Sequence, residues 1–224
     1  MESILVVVAH PDDEVLGCGG YLAKQAKRGH KVTVLCIADG VSSRSGTVDP
    51  EELRIRREAA RDAGRILGID SISFGDFPDN QLDSVPLLKV VKFIQLALSI
   101  TKPEVVLTHH QGDLNIDHSI VSRATLTACR PVPGSSIKTL LFFETPSSTE
   151  WSFGDVGASF SPNWYEDISG SMIQKIKALE AYKMELREWP HPRSVKSIKG
   201  LAEWRGSNCG LDSAEAFVLA RRIS

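Results

Sequence analysis

Two stretches of the chain concentrate side chains that can bind a metal ion and move protons. One is Ala9-His10-Pro11-Asp12-Asp13-Glu14; the other is His109-His110-Gln111-Gly112-Asp113-Leu114-Asn115-Ile116-Asp117-His118. A hydrolytic zinc-type centre needs three His or carboxylate ligands with one position open, and a carboxylate off the metal to take a proton from water. His10, Asp13 and His118 can supply such ligands, and Asp12 such a base, because neighbouring carboxylates point in different directions. The competing reading is structural, since Asp-Asp-Glu after a strand also suits a helix N-terminus. The chemical reading gains from the pairing of two such clusters, each placed after an apolar run.

Those apolar runs are the elements that must position the chemistry. Residues 4–8 and 104–108 read as buried parallel strands, and 31–37, 71–74 and 138–143 as further strands. Helices are expected at 17–28, ended by Gly29, then at 87–100 and 119–129. Another opens on Asp49-Pro50-Glu51-Glu52 and ends at Gly68. Strands alternating with helices imply an α/β fold with a mostly parallel sheet and helices on both faces. Ligands of such sheets bind beyond the strand carboxyl ends, where both clusters fall. Glu144 ends the fifth strand and is a substrate-binding candidate on the same edge. The chain reads as one domain, residues 1–145 forming the core and 146–224 covering the site. Within the later part a charged helix is expected at 169–186, with Lys175, Lys177, Glu180, Lys183 and Glu185 as its solvated face. A helix is expected at 195–205, and residues 216–223 read as either a strand or a helix end.

Composition narrows the classes. The chain has 224 residues, is 42% hydrophobic and carries a net charge of -2, with a pI near 6.3. No basic stripe suggests nucleic acid. No apolar run approaches the roughly 20 residues of a membrane span, and the N-terminal run is too short for a signal sequence, so the expectation is a cytoplasmic protein without membrane insertion. Cys18, Cys36, Cys129 and Cys209 are too scattered for a cysteine zinc site and read as small buried residues. Trp151, Trp164, Trp189 and Trp204 read as core rather than as sugar-stacking faces. Gly17-Cys18-Gly19-Gly20 lacks the GxGxxG register, which counts against a dinucleotide-binding oxidoreductase.

The string from Ala9 to Glu14 resembles the AHPDDE signature of the PIG-L/LmbE-like family of zinc-dependent N-acetylglucosaminyl deacetylases, and Asp117-His118 resembles its later Asp-His pair. Asp39-Gly40 with Ser42-Ser43-Arg44, His191-Pro192-Arg193-Ser194, and the run from Arg205 to Phe217 are similar to its later segments. The resemblance implies a Rossmann-like fold, with His10, Asp13 and His118 as zinc ligands and Asp12 as general base. It implies that Asp117 orients a neighbour, that Arg44 reaches substrate and that His191 lies near the site. Fe(II), Co(II) and Mn(II) remain open as the metal. Asn115 departs from the pattern: many members carry a histidine there, and Asn115 can offer only a neutral hydrogen bond to an oxyanion. The implied function is removal of an N-acetyl group from an amino sugar, free, nucleotide-linked or conjugated to a small molecule, with homo-oligomerisation left open. The alternatives are an amidase for a larger acyl group and a non-hydrolytic nucleotide- or sugar-binding protein.

Overall fold

The computed structural model describes residues 1–45, 48–153 and 159–224; the Arg44 side chain, with its expected substrate contact, lies outside the described part. The strands among the described residues are β1 (Ser3–Val8), β2 (Lys31–Ala38), β3 (Ser71–Phe77), β4 (Val105–His109), β5 (Thr139–Phe143), β6 (Trp164–Asp167) and β7 (Ala214–Arg222). They form one sheet in the order β3-β2-β1-β4-β5-β7-β6. The first five run parallel, and β7 lies antiparallel between β5 and β6. The order reverses at β1, which pairs with β2 on one side and β4 on the other. A crevice at such a switch point is where open α/β sheets take their ligands.

The helices are α1 (Asp13–Lys27), α2 (Ser42–Ser45), α3 (Pro50–Leu67), α4 (Leu87–Thr101), α5 (Ile116–Ala128), α6 (Met172–Ala181) and α7 (Val195–Ser207). The two-residue period of β1 feeds both faces of the sheet. Leu5, Val7 and Ala9 pack with Val90 and Ile94 of α4 and Val121 of α5, while Ile4, Val6 and Val8 pack with Cys18 and Leu22 of α1. Local chemistry sets the ends of α3: Asp49 accepts the Glu51 N–H at 2.8 Å, Pro50 follows, and Gly68 closes the helix at φ 77.

Several expectations need correction. The first helix starts at Asp13 rather than Gly17, and it kinks at Cys18. Its glycines look like breakers but permit close packing: a Cβ on Gly17 would lie 2.2 Å from the Phe143 ring, and one on Gly20 2.8 Å from Ile168. The late charged helix is shorter than expected, and two of its expected solvated residues, Lys175 and Glu185, are buried. Residues 214–222 form a strand, and β6 was not expected. Trp151, Trp189 and Trp204 are exposed rather than core, and Trp164 alone of the four packs against the buried cluster. Cys209 is exposed, while the other three cysteines are buried.

Candidate metal centre

The loops after β1 and β4 meet at the switch point, as the parallel register requires. Val7 is level with Thr108, and the Ala9 N–H donates to His109 Nε2 at 2.9 Å, tying the two loops together. His10, Asp13 and His118 come within 4.8 Å of one another through one ligand-type atom each, and all three are buried. Asp13 Oδ2 accepts the His10 backbone N–H at 2.8 Å. It also lies 3.4 Å from His10 Nδ1 and 3.4 Å from His118 Nε2. Asp13 Oδ1 and His118 Nε2 are buried without a hydrogen-bond partner among the described residues. Buried polar atoms are rarely left so, and a cation between a carboxylate and an imidazole satisfies both.

Surrounding side chains fix the tautomers. His118 Nδ1 faces Asp113 Oδ1 at 3.1 Å, which leaves Nε2 as the nitrogen able to coordinate a metal. Asp113 is held in turn by the Ser148 hydroxyl and by Thr149 Oγ1 at 2.6 Å. His10 Nε2 lies between Asp79 Oδ1 at 3.0 Å and Asp117 Oδ2 at 3.1 Å. Asp117 also accepts the backbone N–H groups of Asn80 and Leu82, so its carboxylate is rigid.

The electrostatics suit a cation. Burial works against the charged form of His118, yet Asp13 and Asp113 push it up to about 9. Burial likewise opposes the charged form of His10, but Asp117, Asp13 and Asp79 raise it well above its ordinary value. Burial would raise Asp13, and the surrounding histidines hold it well below the usual carboxylate range. Asp113, also raised by burial, is brought down to about 2 mainly by His118. The pocket draws in positive charge, which protons supply when a metal does not.

A family model described as PIG-L, GlcNAc-PI de-N-acetylase, matches residues 5–129, more than half of the chain. The chain belongs to the PIG-L family. It is 30% identical over 191 residues to an uncharacterised deacetylase of Escherichia coli, YaiS, covering 81% of this chain and 91% of the relative. It is 26% identical to the diacetylchitobiose deacetylase of Thermococcus kodakarensis, covering 84% of this chain and 72% of the relative. It is also 27% identical to the 4-oxalmesaconate hydratase of Pseudomonas putida, covering 99% and 88%.

In this PIG-L chain Asp12 sits beside the ligand cluster in a left-handed conformation, at φ 130. Such a position is costly for a residue with a side chain and persists only where its surroundings enforce it. Glu14 accepts the Asp12 N–H at 3.1 Å and the Tyr182 hydroxyl at 2.6 Å. Burial pushes Glu14 up to about 7. Asp12 Oδ1 lies 3.3 Å from Arg56 Nη2, and Oδ2 lies 3.1 Å from Arg193 Nη1. Burial raises the Asp12 carboxyl, and the two guanidinium groups offset only part of that.

Other candidate residues are held by partners of their own. Asn115 caps α5: its Oδ1 accepts the Asp117 N–H at 2.9 Å, and its Nδ2 donates to Asn80 Oδ1 at 2.8 Å. Glu144 is held by Arg205 through two bonds, 2.8 and 2.7 Å long. His191 stands edge-on to Trp151, and its Nδ1 accepts the Arg193 N–H at 3.0 Å. His109 is buried and stacks on His118 at 4.0 Å; burial and His118 bring it down to about 3, so it is neutral. Sequence reasoning missed Asp79 and Arg56, and it quoted Asp113 and Arg193 within its motifs without giving either a role.

Proposed function

We propose that the protein is a metal-dependent N-deacetylase. Its substrate is an N-acetylglucosamine-type sugar, free or joined to a small molecule or nucleotide, met in the cytoplasm. The observation that carries this reading is the meeting of His10, Asp13 and His118 at the switch point, with two buried ligand-type atoms that make no hydrogen bond among the described residues and the Asp12 carboxylate alongside. The family description and the diacetylchitobiose deacetylase support the substrate class. A divalent ion held by these three residues, zinc before Fe(II), Co(II) or Mn(II), would polarise the acyl group and lower the pKa of a bound water toward about 7.

The chain's own residues do the rest. Asp113 holds the His118 ring in the coordinating tautomer, and Asp79 and Asp117 orient His10. Asp12 takes a proton from water as the water oxygen bonds to the acyl carbon. The C–N bond then breaks, and Asp12 returns the proton to the leaving nitrogen. The products are acetate and the free amine.

The test is an acetate-release screen of N-acetylated sugars and nucleotide sugars on zinc-loaded protein, with a chelated control. Chelator-sensitive acetate release is expected from at least one amino sugar. No acetate from any of them, with water added to an unsaturated carboxylic acid instead, would overturn deacetylation in favour of the hydratase chemistry named for one relative.

A further inference from the structure

Four charged side chains close a ring that includes Asp12. Arg56 Nη2 faces Asp12 Oδ1 at 3.3 Å, and Arg56 Nη1 pairs with Glu185 Oε1. Glu185 Oε2 lies 3.7 Å from Arg193 Nη1, which returns to Asp12 Oδ2 at 3.1 Å. Asp12, Arg56 and Glu185 are buried. Arg193 alone reaches the surface, its side chain 23% exposed. Its Nε donates to Ser147 Oγ at 2.7 Å. Ser147 sits at φ 70, a costly conformation for serine, and Glu150 Oε1 holds its N–H at 2.6 Å. The guanidinium is thus locked through Nε and Nη1, while Nη2 makes no hydrogen bond among the described residues.

Amide hydrolysis places negative charge on the acyl oxygen, and preorganised donors aimed at that charge are strong contributors to rate. Asn115 is a neutral amide already engaged in a helix cap and with Asn80. Arg56 also faces Asp12 but is buried, whereas Arg193 reaches the surface. Arg193 carries a fixed positive charge within hydrogen-bond distance of the base and has a donor to spare. The water activated by the base attacks the acyl carbon, so a cationic donor held against the base is a candidate for the charge that forms there.

We propose that Arg193 is a catalytic residue, its Nη2 donating to the acyl oxygen as that oxygen becomes negative during deacetylation. The proposal rests on the deacetylase reading. The water oxygen bonds to the acyl carbon, the water proton passes through Asp12 to the nitrogen, and the C–N electron pair leaves with that nitrogen. Arg193 neither gains nor loses a proton. Glu185 and Ser147 are positioning residues that hold the guanidinium in place.

Arg193→Ala should lower kcat by about 10²–10³-fold, the usual cost of losing one oxyanion donor, with KM, metal content and melting temperature close to wild type. Millimolar guanidinium ion should restore part of that kcat, and Arg193→Lys should retain more activity than Arg193→Ala. Independently of turnover, a methylphosphonamidate analogue of the N-acetyl sugar should lose affinity for Arg193→Ala by calorimetry, while the amine product should bind unchanged. Acetate release within a few-fold of wild type by Arg193→Ala, with unchanged phosphonamidate affinity, would overturn the role and leave the deacetylase reading standing. Activity lost in both variants, with no guanidinium rescue and a lowered melting temperature, would also overturn it, making Arg193 structural. Wild-type protein that releases no acetate from any amino sugar would overturn both.

Discussion

Two buried charged clusters flank α1. Beyond the kink, Lys175 Nζ donates to Glu215 Oε1 at 2.6 Å and to the Leu16 carbonyl at 2.9 Å. Glu215 also accepts the Gly20 and Tyr21 N–H groups at 2.8 and 2.7 Å. Both its oxygens are satisfied, and it caps the second half of the kinked helix. At the start of α1 the histidine–aspartate cluster is as deeply buried, yet it leaves Asp13 Oδ1 and His118 Nε2 without a hydrogen bond among the described residues. Burial and charge are common to both; the unspent valence belongs to one. A closed set of partners marks a structural device, and an open one marks a place for something else to bind.

Changes at His118, Asp12, Lys175 and Asn115 would break or sharpen that contrast, and one at His191 tests its margin. His118→Ala should reduce bound metal from one ion per chain to nearly none while the circular dichroism spectrum persists; wild-type metal content would remove His118 from the ligand set. Asp12→Asn should keep the metal and lose about 10²–10⁴ in kcat, the usual range for a general base; near-normal turnover would exclude it. Lys175→Met should do the reverse, costing about 3–5 kcal/mol in urea unfolding by stranding the Glu215 charge, with metal content and turnover per folded molecule unchanged. Adding Glu215→Gln should return part of that loss, and a metal-depleted Lys175→Met would mean that the two clusters are coupled. Asn115→Ala should cost about 0.5–2 kcal/mol of stability as a lost helix cap, recovered by Asn115→Asp. A loss in kcat larger than the loss in stability would instead make Asn115 an oxyanion donor. His191→Ala should change kcat least, by no more than a few-fold, if Asp12 carries the proton; a collapse of turnover would make His191 the acid.

Much of this contrast was written in the sequence in a form that spacing alone does not decode. The parallel strands were legible because both faces of β1 are buried and its residues from Ile4 to Val8 are all apolar. The ligand cluster was legible because metal-type residues followed two such strands. The ring around Asp12 was not, because its members lie on α3, after α6 and before α7, far apart along the chain. A signal existed in α3, where Arg56 shares its buried stripe with Ala60, Ala63 and Leu67 at helical spacing. A charge on an apolar stripe asks for a buried partner. Lys175 sits likewise in register with Leu179 and Tyr182, both buried, but its partner Glu215 lies in a strand that the sequence left undecided. Asp79 follows β3 and could have been found by the same strand-end logic that singled out Glu144.

The position of β7 has a consequence for the order in which the molecule is made. The strand lies between β5 and β6 in space but follows both in the chain. Until it has been synthesised, the Thr-Leu-Leu-Phe-Phe strand β5 presents one open edge, and β6 has no neighbour in the sheet. An apolar edge left open invites pairing with other chains. A nascent polypeptide arrested before Ala214 should therefore be protease-sensitive and prone to associate, even though it already holds all three metal-binding candidates. The chemistry is encoded early and the shelter that keeps it usable arrives last, so the interval between them is when the growing chain most needs a chaperone.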